Sequence, residues 1–550
     1  MFLRRLFSEN AFFLNMNNSD KQSIQNMSPQ DLESPEKGQF NHEITLVLRQ
    51  KKINLALIIL IATSITSNIN QTLVSSSFPA IGNHFNALNN VFWISLGYAT
   101  VSATSQPFYY PLIAIMGVKR FYFACWILLA APTILCIIGK NIWYVVFGYA
   151  LSSFGGIGVS TCVSIIILSA APVSKHKFFY GISSIVRSIG NMVGPLFGAT
   201  IVSKFTFRSV FILEMIFIVA CFLVSVYILH GADDTKTKVS TWKQFDILGS
   251  IFLVISIPCL IILFNSITPG SIFGRSATIS CAIIFLVCFG LFIFNEKKTK
   301  SFPIIPTELY KIRSMILAYA SVFLLGPRFV GSGYFIPMFS NATKNLSSVK
   351  IGFIVTTFQA GGALFGLLFY KFVKASNMRP YMMGMYVFVL SPSIYECFLN
   401  RNTPTWSLFL CEAIAGFGIS GISLSATIFI IANSPKKFRE RYLSLFSFVI
   451  TMGAALSSAL MILIYSNVLK SKINAIRINF PLNQQDINNA LLNSQNIHSS
   501  TIPTDLSHAL MDAYSRSIAS VMIYDAVFVF VGLFLIYWTS DKNFEEIIIE

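Results

Sequence analysis

The sequence predicts an all-α polytopic membrane protein, and three observations carry that prediction. Of its 550 residues, 54% are hydrophobic and only 11% charged, whereas soluble chains carry roughly a quarter charged residues. The apolar residues arrive in runs of about 20, each long enough to cross a hydrocarbon layer of roughly 30 Å as a helix. Runs such as residues 247–264 are apolar on every face, which excludes the alternating segments of roughly ten residues that build a membrane β-barrel.

Fourteen such spans can be marked, beginning near residues 55, 91, 119, 143, 178, 208, 247, 277, 315, 351, 380, 405, 441 and 518. Before the first lies a polar tail, residues 1–52, too polar to bury a core and expected to be disordered. Because this mostly polar stretch precedes the first apolar run, no cleavable signal peptide is expected. A second polar stretch, residues 468–517, separates spans 13 and 14. Its scattered Ile473, Ile476, Leu491 and Leu492 are compatible with a loop or a short surface helix.

The formal net charge of +17 is mostly topology and not a nucleic-acid footprint. With the N-terminus in the cytosol, the six short cytosolic loops hold 19 lysines and arginines and the six short loops of the opposite side hold seven. That asymmetry is the positive-inside pattern, and with fourteen spans it puts both chain ends in the cytosol. Two glycosylation sequons, at Asn341 and Asn345, fall in the non-cytosolic loop between spans 9 and 10.

Enzymatic chemistry finds little support. All nine cysteines lie inside apolar segments without a CxxC pair, so they read as small packing residues. The six histidines are scattered, and no HExxH, GxSxG or phosphate-loop lysine motif occurs. No cofactor and no metal site is expected, and the chain is expected not to be an enzyme.

The sharpest motif lies in span 5, where Gly190, Gly194, Pro195 and Gly198 form a GxxxGPxxG run. Glycines four apart make a flat stripe that lets another helix approach closely, and the proline removes one backbone hydrogen bond at a defined place. Other features accompany it in order: Asn70, Thr72 and Pro79 in and after span 1; Trp93, Tyr98 and Gln106-Pro107 in span 2; Gly156 and Gly158 in span 4; and Pro303, Pro306, Lys311 and Arg313 before span 9. In these residues the chain resembles the major facilitator superfamily, in particular the fungal fourteen-spanner drug:proton antiporters. That group also includes vacuolar basic amino acid transporters, multidrug exporters and siderophore exporters. The resemblance covers residues from about 53 to 540.

The resemblance implies a major facilitator fold of two six-helix bundles plus an inserted helix pair. The expected organisation is a cytosolic tail (1–52), a first bundle (53–232), the inserted spans 7 and 8 (233–300), five helices of the second bundle (301–467), a non-cytosolic loop (468–517), and the last helix with a cytosolic tail (518–550). It also implies that spans 1, 4, 9 and 12 line a central cavity. Asn70, Tyr98, Gln106 and Arg328 are the expected cavity side chains, and Gly117, Lys119 and Arg120 form the cytosolic gate loop. Three positions that carry charge in the family are uncharged here: Asn70 in span 1, Ala114 before the gate loop and Ser152 in span 4.

Ionisable groups at bilayer depth cost free energy and face the protein interior or water, so each is a functional candidate. There are six: Arg187, Glu214, Arg328, Glu396, Glu412 and Asp525. Arg187 lies near the midplane, about 14 Å from the cytosolic surface at 1.5 Å per residue. It follows the spacing of the glycine stripe, so it is expected to face the opposite half as an interdomain latch. The four carboxylates fall in the outer part of the membrane, near enough to an interface to reach water. Glu412, the only acid on an expected cavity helix, is the proton-coupling candidate.

The expected function is a secondary active transporter of a small organic solute or drug, by proton-coupled antiport out of the cytosol. An uncoupled facilitator, a non-transporting sensor on the same fold, or import of basic amino acids into the vacuole remain alternatives. Expected partners are the lipid bilayer of a plasma or vacuolar membrane, a small-molecule substrate and protons, with no nucleic acid, and the chain is expected to act as a monomer. A reporter fused after Glu550 is expected to score as cytosolic. Activity of a reporter that works only outside the cytosol would overturn the fourteen-span topology.

Overall fold

The computed structural model describes residues 46–47, 53–74, 77–85, 91–171, 175–230, 233–234, 246–266, 274–298, 305, 309–310, 312–346, 348–372, 378–434, 439–479 and 504–539. The expected disordered tail therefore lies outside the described residues, except for Leu46–Val47, which pair antiparallel with Asp233–Asp234. Residues 540–550, expected to be a cytosolic tail, also lie outside them.

Helices occupy all fourteen expected places. Span 1 is Ile53–Thr63 continued by Ile65–Leu73, and a short helix, Phe78–His84, follows it. Spans 2 to 6 are Phe92–Met116, Val118–Ile138, Ile142–Ala170, His176–Lys204 and Arg208–Leu229. Spans 7 and 8 are Ile247–Ser266 and Arg275–Lys298. Span 9 runs through Arg313–Phe323, Gly326–Val330, a wide π turn at Gly331–Phe335, and Ile336–Lys344. Spans 10 to 14 are Ser348–Phe372, Met378–Glu396, Thr405–Asn433, Arg439–Asn479 and Thr504–Tyr537. Among the described residues, eleven candidates are long and apolar enough to cross a bilayer, and Leu248–Phe264 is a shorter apolar helix. Span 2 has enough length, at 25 residues, but carries Ser, Thr, Gln and two prolines. Span 11 carries Arg379 and Glu396.

Two expectations need correction. The polar stretch over 468–517 is helical at both ends, because span 13 continues to Asn479 and span 14 begins at Thr504. These extensions bury Leu469 and Ile473 against Leu506, Leu510 and Tyr514. They are amphipathic, and a search for runs apolar on every face passes over them. The sequon at Asn341 does not sit in a loop but inside the last turns of span 9, where Thr343 is buried and donates to the Phe339 carbonyl at 2.7 Å. Asn345 is exposed just past that helix in a left-handed conformation (φ 47°).

Turn chemistry explains several helix ends. Asn141 caps span 4, its Oδ1 accepting from the Trp143 and Tyr144 amides at 3.0 and 3.3 Å, which satisfies N–H groups the first turn leaves open. Arg208 donates to the Ile137 and Gly139 carbonyls at 3.0 Å, closing the C-terminal end of span 3. Between spans 2 and 3, Gly117 has φ 86°, so the gate loop turns within one residue that only glycine adopts cheaply. Arg120 is exposed beside it and Lys119 is half-buried.

Packing depends on glycine because lipid tails are as apolar as leucine, so helices associate through close van der Waals contact and hydrogen bonds and not through exclusion from water. Span 3 lies on span 4 at Gly148, Gly155 and Gly158, and span 11 lies on span 12 at Gly418 and Gly421. Span 10 meets span 12 where a Cβ on Gly416 would run into the Phe358 backbone and one on Gly361 into the Ala413 backbone. The stripe of span 5 packs on span 1: Gly190 faces Ile65 and Asn68, and Gly194 faces Thr72 and Leu73. It does not face the opposite half, as the sequence had suggested. A different face of span 5, with Gly181, Ile185 and Ser188, meets span 10 at Gly362 and Gly366.

Spans 2 and 13 also touch, with Ser444 donating to the Gln106 carbonyl at 3.2 Å. Spans 7 and 8 pack on each other, and span 7 lies against spans 2 and 13. Span 8 turns Ile279, Ile283, Leu286 and Phe294 outward. Replacing Gly194 by leucine is expected to destabilise the protein by at least ~1–3 kcal/mol through overpacking and to abolish flux. Gly290→Leu should be neutral, since nothing lies within 4 Å of the Cβ it would gain. Thermal unfolding of both variants in detergent checks the contrast.

Candidate functional site

Span 9 places Arg328 directly after Gly326-Pro327, where the proline cannot donate a backbone hydrogen bond. Gly326 abuts the Gly453 carbonyl of span 13, so the backbone is held close and the arginine points into its own helix group. There it meets carboxylates from three other spans. Its Nη1 bonds Glu396 Oε2 of span 11, and its Nη2 lies 3.0 Å from both Glu396 Oε1 and Glu412 Oε1 of span 12. Asp525 Oδ2 of span 14 lies 3.5 Å from Nη1 and also accepts from Ser393 Oγ at 2.7 Å.

All four residues have 0% exposure. The carboxylates therefore do not reach water as expected from their depth, because spans 11, 12 and 14 turn them inward onto one guanidinium. Arg328 likewise does not line an open cavity. With one cation for three carboxylates, the cluster would carry a formal charge of two negative units if fully ionised. Glu412 Oε2 and Asp525 Oδ1 find no hydrogen-bond partner among the described residues.

A second polar node joins spans 1, 4 and 6. Asn70 Nδ2 bonds Glu214 Oε1 and lies 3.4 Å from Ser152 Oγ, and Tyr149 OH donates to the Asn70 carbonyl at 2.9 Å. Asn70, Ser152 and Glu214 are all buried. Two of the positions that are uncharged here thus flank one buried carboxylate that has no cation among the described residues. Tyr98 stacks on Tyr149 with ring centroids 4.7 Å apart.

Of the expected cavity residues, Asn70, Tyr98, Gln106 and Arg328 are all buried, since each is engaged in packing between helices. Partly or fully exposed surface within the spans comes from other residues. Span 4 presents a half-buried stripe of Phe154, Ile157, Ser160, Ser164 and Leu168, spaced three or four apart along one face. Gln71 on span 1, Arg187 on span 5, and Gly333 and Tyr334 at the π turn of span 9 are exposed. At the ends assigned to the cytosol, span 12 is buried from Gly418 to Ala432 on every face, and its Ile428–Ile431 share one apolar core with Ile165–Ile167 of span 4.

The stripe of span 4 was missed because serines in an apolar helix look the same whether they face a neighbour or a cavity. The partners of Arg328 could have been found by asking which carboxylates must neutralise a cation buried at that depth.

Fourteen bundled helices with a broken span 9 and buried charge networks have the architecture of a membrane transporter. Its residues 60–329 match the Major Facilitator Superfamily profile and residues 331–473 the Sugar (and other) transporter profile. The chain is a member of the major facilitator superfamily, whose proteins are transporters and not enzymes.

Among its relatives is the efflux pump dotC of Dothistroma septosporum, 24% identical over 95% of this chain and 93% of that one. The vacuolar membrane amino acid uptake transporter fnx2 of Schizosaccharomyces pombe is 22% identical over 68% of this chain, a match that spans 65% of fnx2. In structure, the human organic anion transporter MFSD10 (TETRAN) superposes with a TM-score of 0.59 at 9% identity, over 88% of this chain and all of that one, and shows that the fold is shared.

Removing Arg328 leaves three carboxylates buried without a cation, which costs ~3–5 kcal/mol when one partner of a buried pair is lost. Arg328→Met is expected to lose folded protein in detergent chromatography, and combining it with Glu396→Gln and Asp525→Asn should restore part of it. Normal stability of Arg328→Met alone would contradict the cluster.

Proposed function

We propose that this transporter is a proton-coupled antiporter that exports a small organic solute from the cytosol, working as a monomer in a plasma or vacuolar membrane. The observation that carries the reading is the buried cluster of Arg328, Glu396, Glu412 and Asp525. Bringing a charge into the membrane interior is expensive unless it is paired. One guanidinium neutralises only one of three carboxylates, so proton binding is the way left to balance the cluster. The unpartnered Oε2 of Glu412 and Oδ1 of Asp525 are places where such protons would sit.

Glu412 is the member assigned to exchange its proton, because it alone of the three carboxylates stands on a helix that the family resemblance places at the central cavity, and its Oε2 has no hydrogen-bond partner among the described residues. Protonating it weakens its bond to Arg328 Nη2 and loosens span 12 from span 9. Deprotonation draws them together. Alternating access then follows from a two-state contact that proton and substrate bias in opposite directions. Export as the direction is supported by the efflux relatives, whereas fnx2 supports amino acid uptake into a vacuole as the alternative substrate and route.

The uncharged Asn70, Ala114 and Ser152 favour a second reading, an uncoupled facilitator or a non-transporting sensor. One experiment separates them: flux of a fluorescent dye in proteoliposomes with and without an imposed pH gradient. The wild-type chain should accelerate under the gradient. Glu412→Gln should lose that acceleration while keeping exchange at equal pH. Gradient-driven flux unchanged in Glu412→Gln would reject the assignment, gradient-independent wild-type flux would favour the facilitator, and no flux at all the sensor.

A further inference from the structure

We infer that Arg187 is a recognition site for an organic anion, most simply a carboxylate, bound between span 1 and span 10. The inference rests on the transporter reading and names the charge of the solute class. Arg187 is exposed although it lies about 14 Å along the apolar stretch that begins at Phe178, close to the middle of a layer of roughly 30 Å.

Its direction follows from the contacts of its own helix. At 100° per residue, Gly190 and Gly194, which touch span 1, lie about 60° and 20° to one side of Arg187. Asn191 and Ser188, which meet Gln359 and Gly362 of span 10, lie about 40° and 100° to the other side. The exposed Ile189 and Phe197 lie about 160° and 80° from Arg187 around the helix. Arg187 therefore opens into the gap between the two helix groups and not into lipid.

Ser160 and Ser164 of span 4 are half-buried, and Ser67 of span 1 bonds Ser160 at 2.7 Å. Asn191 Oδ1 has no partner among the described residues. No carboxylate of the described residues pairs with Arg187. Glu412, Glu396 and Asp525 are taken by Arg328, and Glu214 by Asn70. A guanidinium at this depth with no protein anion among the described residues offers a planar fork of donors that matches a carboxylate in bidentate geometry.

The test reads binding without flux. Full-length protein in detergent at pH 7 is melted with benzoate, salicylate or indole-3-acetate, and with the matching uncharged amides. At least one acid should raise the unfolding temperature where its amide does not. Arg187→Gln should weaken that binding at least tenfold, and Arg187→Lys should keep part of it. Arg187→Gln itself should fold, because no protein partner is lost. Equal stabilisation by acid and amide, no stabilisation by any acid, or acid binding unchanged in Arg187→Gln would each overturn the inference. Acid binding that depends on Arg187 together with pH-independent flux would leave the inference standing and reject the proton-coupled reading alone.

Discussion

A helix that crosses hydrocarbon has no water to turn to, so every polar or charged side chain within it must find its partner inside the protein. This constraint orders the whole molecule. It draws four spans together around Arg328 and three around Glu214. It also explains why the serines and threonines of the apolar helices so often donate back to carbonyls of their own preceding turn, as Thr63, Ser153, Thr356 and Thr427 do at 2.6 to 2.8 Å. The groups that do not meet the demand are the exposed Arg187 among the cations and the free oxygens of Glu412 and Asp525 among the acceptors, and on these the proposals for substrate and proton rest.

Close helix contact is the second consequence. Because apolar burial in lipid brings no gain from water, the helices need backbone proximity to be held at all. Glycine provides it where spans 1 and 5 meet at Gly190 and Gly194, and again where spans 9 and 13 meet at Gly326 and Gly453. The same economy of space recurs between spans 3 and 4 and between spans 11 and 12. The two helix groups also meet at a glycine seam, where Gly181, Ile185 and Ser188 of span 5 approach Gly362 and Gly366 of span 10, and bonds from Asn191 to Gln359 and from Ser444 to the Gln106 carbonyl cross between them. The cluster around Arg328 joins four helices within one of these groups, so a change in its protonation would be felt along span 12.

The amino-acid sequence by itself determined that the chain is helical and membrane-spanning, where the helices begin, and which family they resemble. These are properties of local composition: a run of about 20 apolar residues has few alternatives in a bilayer, and thirteen of the fourteen helices begin within three residues of the expected position. The exception, Thr504, begins an amphipathic extension whose helix depends on packing against Leu469 and Ile473. The ionisable residues were also visible one by one. Pairing was not, because it depends on the rotation of each helix about its own axis, and a rotation is set by neighbours from distant sequence. Spacing put Arg187 with the glycines of span 5, yet an offset of 20° to 60° separates a residue that packs on span 1 from one that looks into the gap. Tertiary structure alone decided that Glu396 and Asp525 belong with Arg328 and Glu412, that Glu214 lies beside Asn70 and Ser152, and that Arg187 has no protein anion. Each depends on three or four helices converging on one point at a depth where a charge must be answered by whatever side chain the neighbouring helix turns toward it.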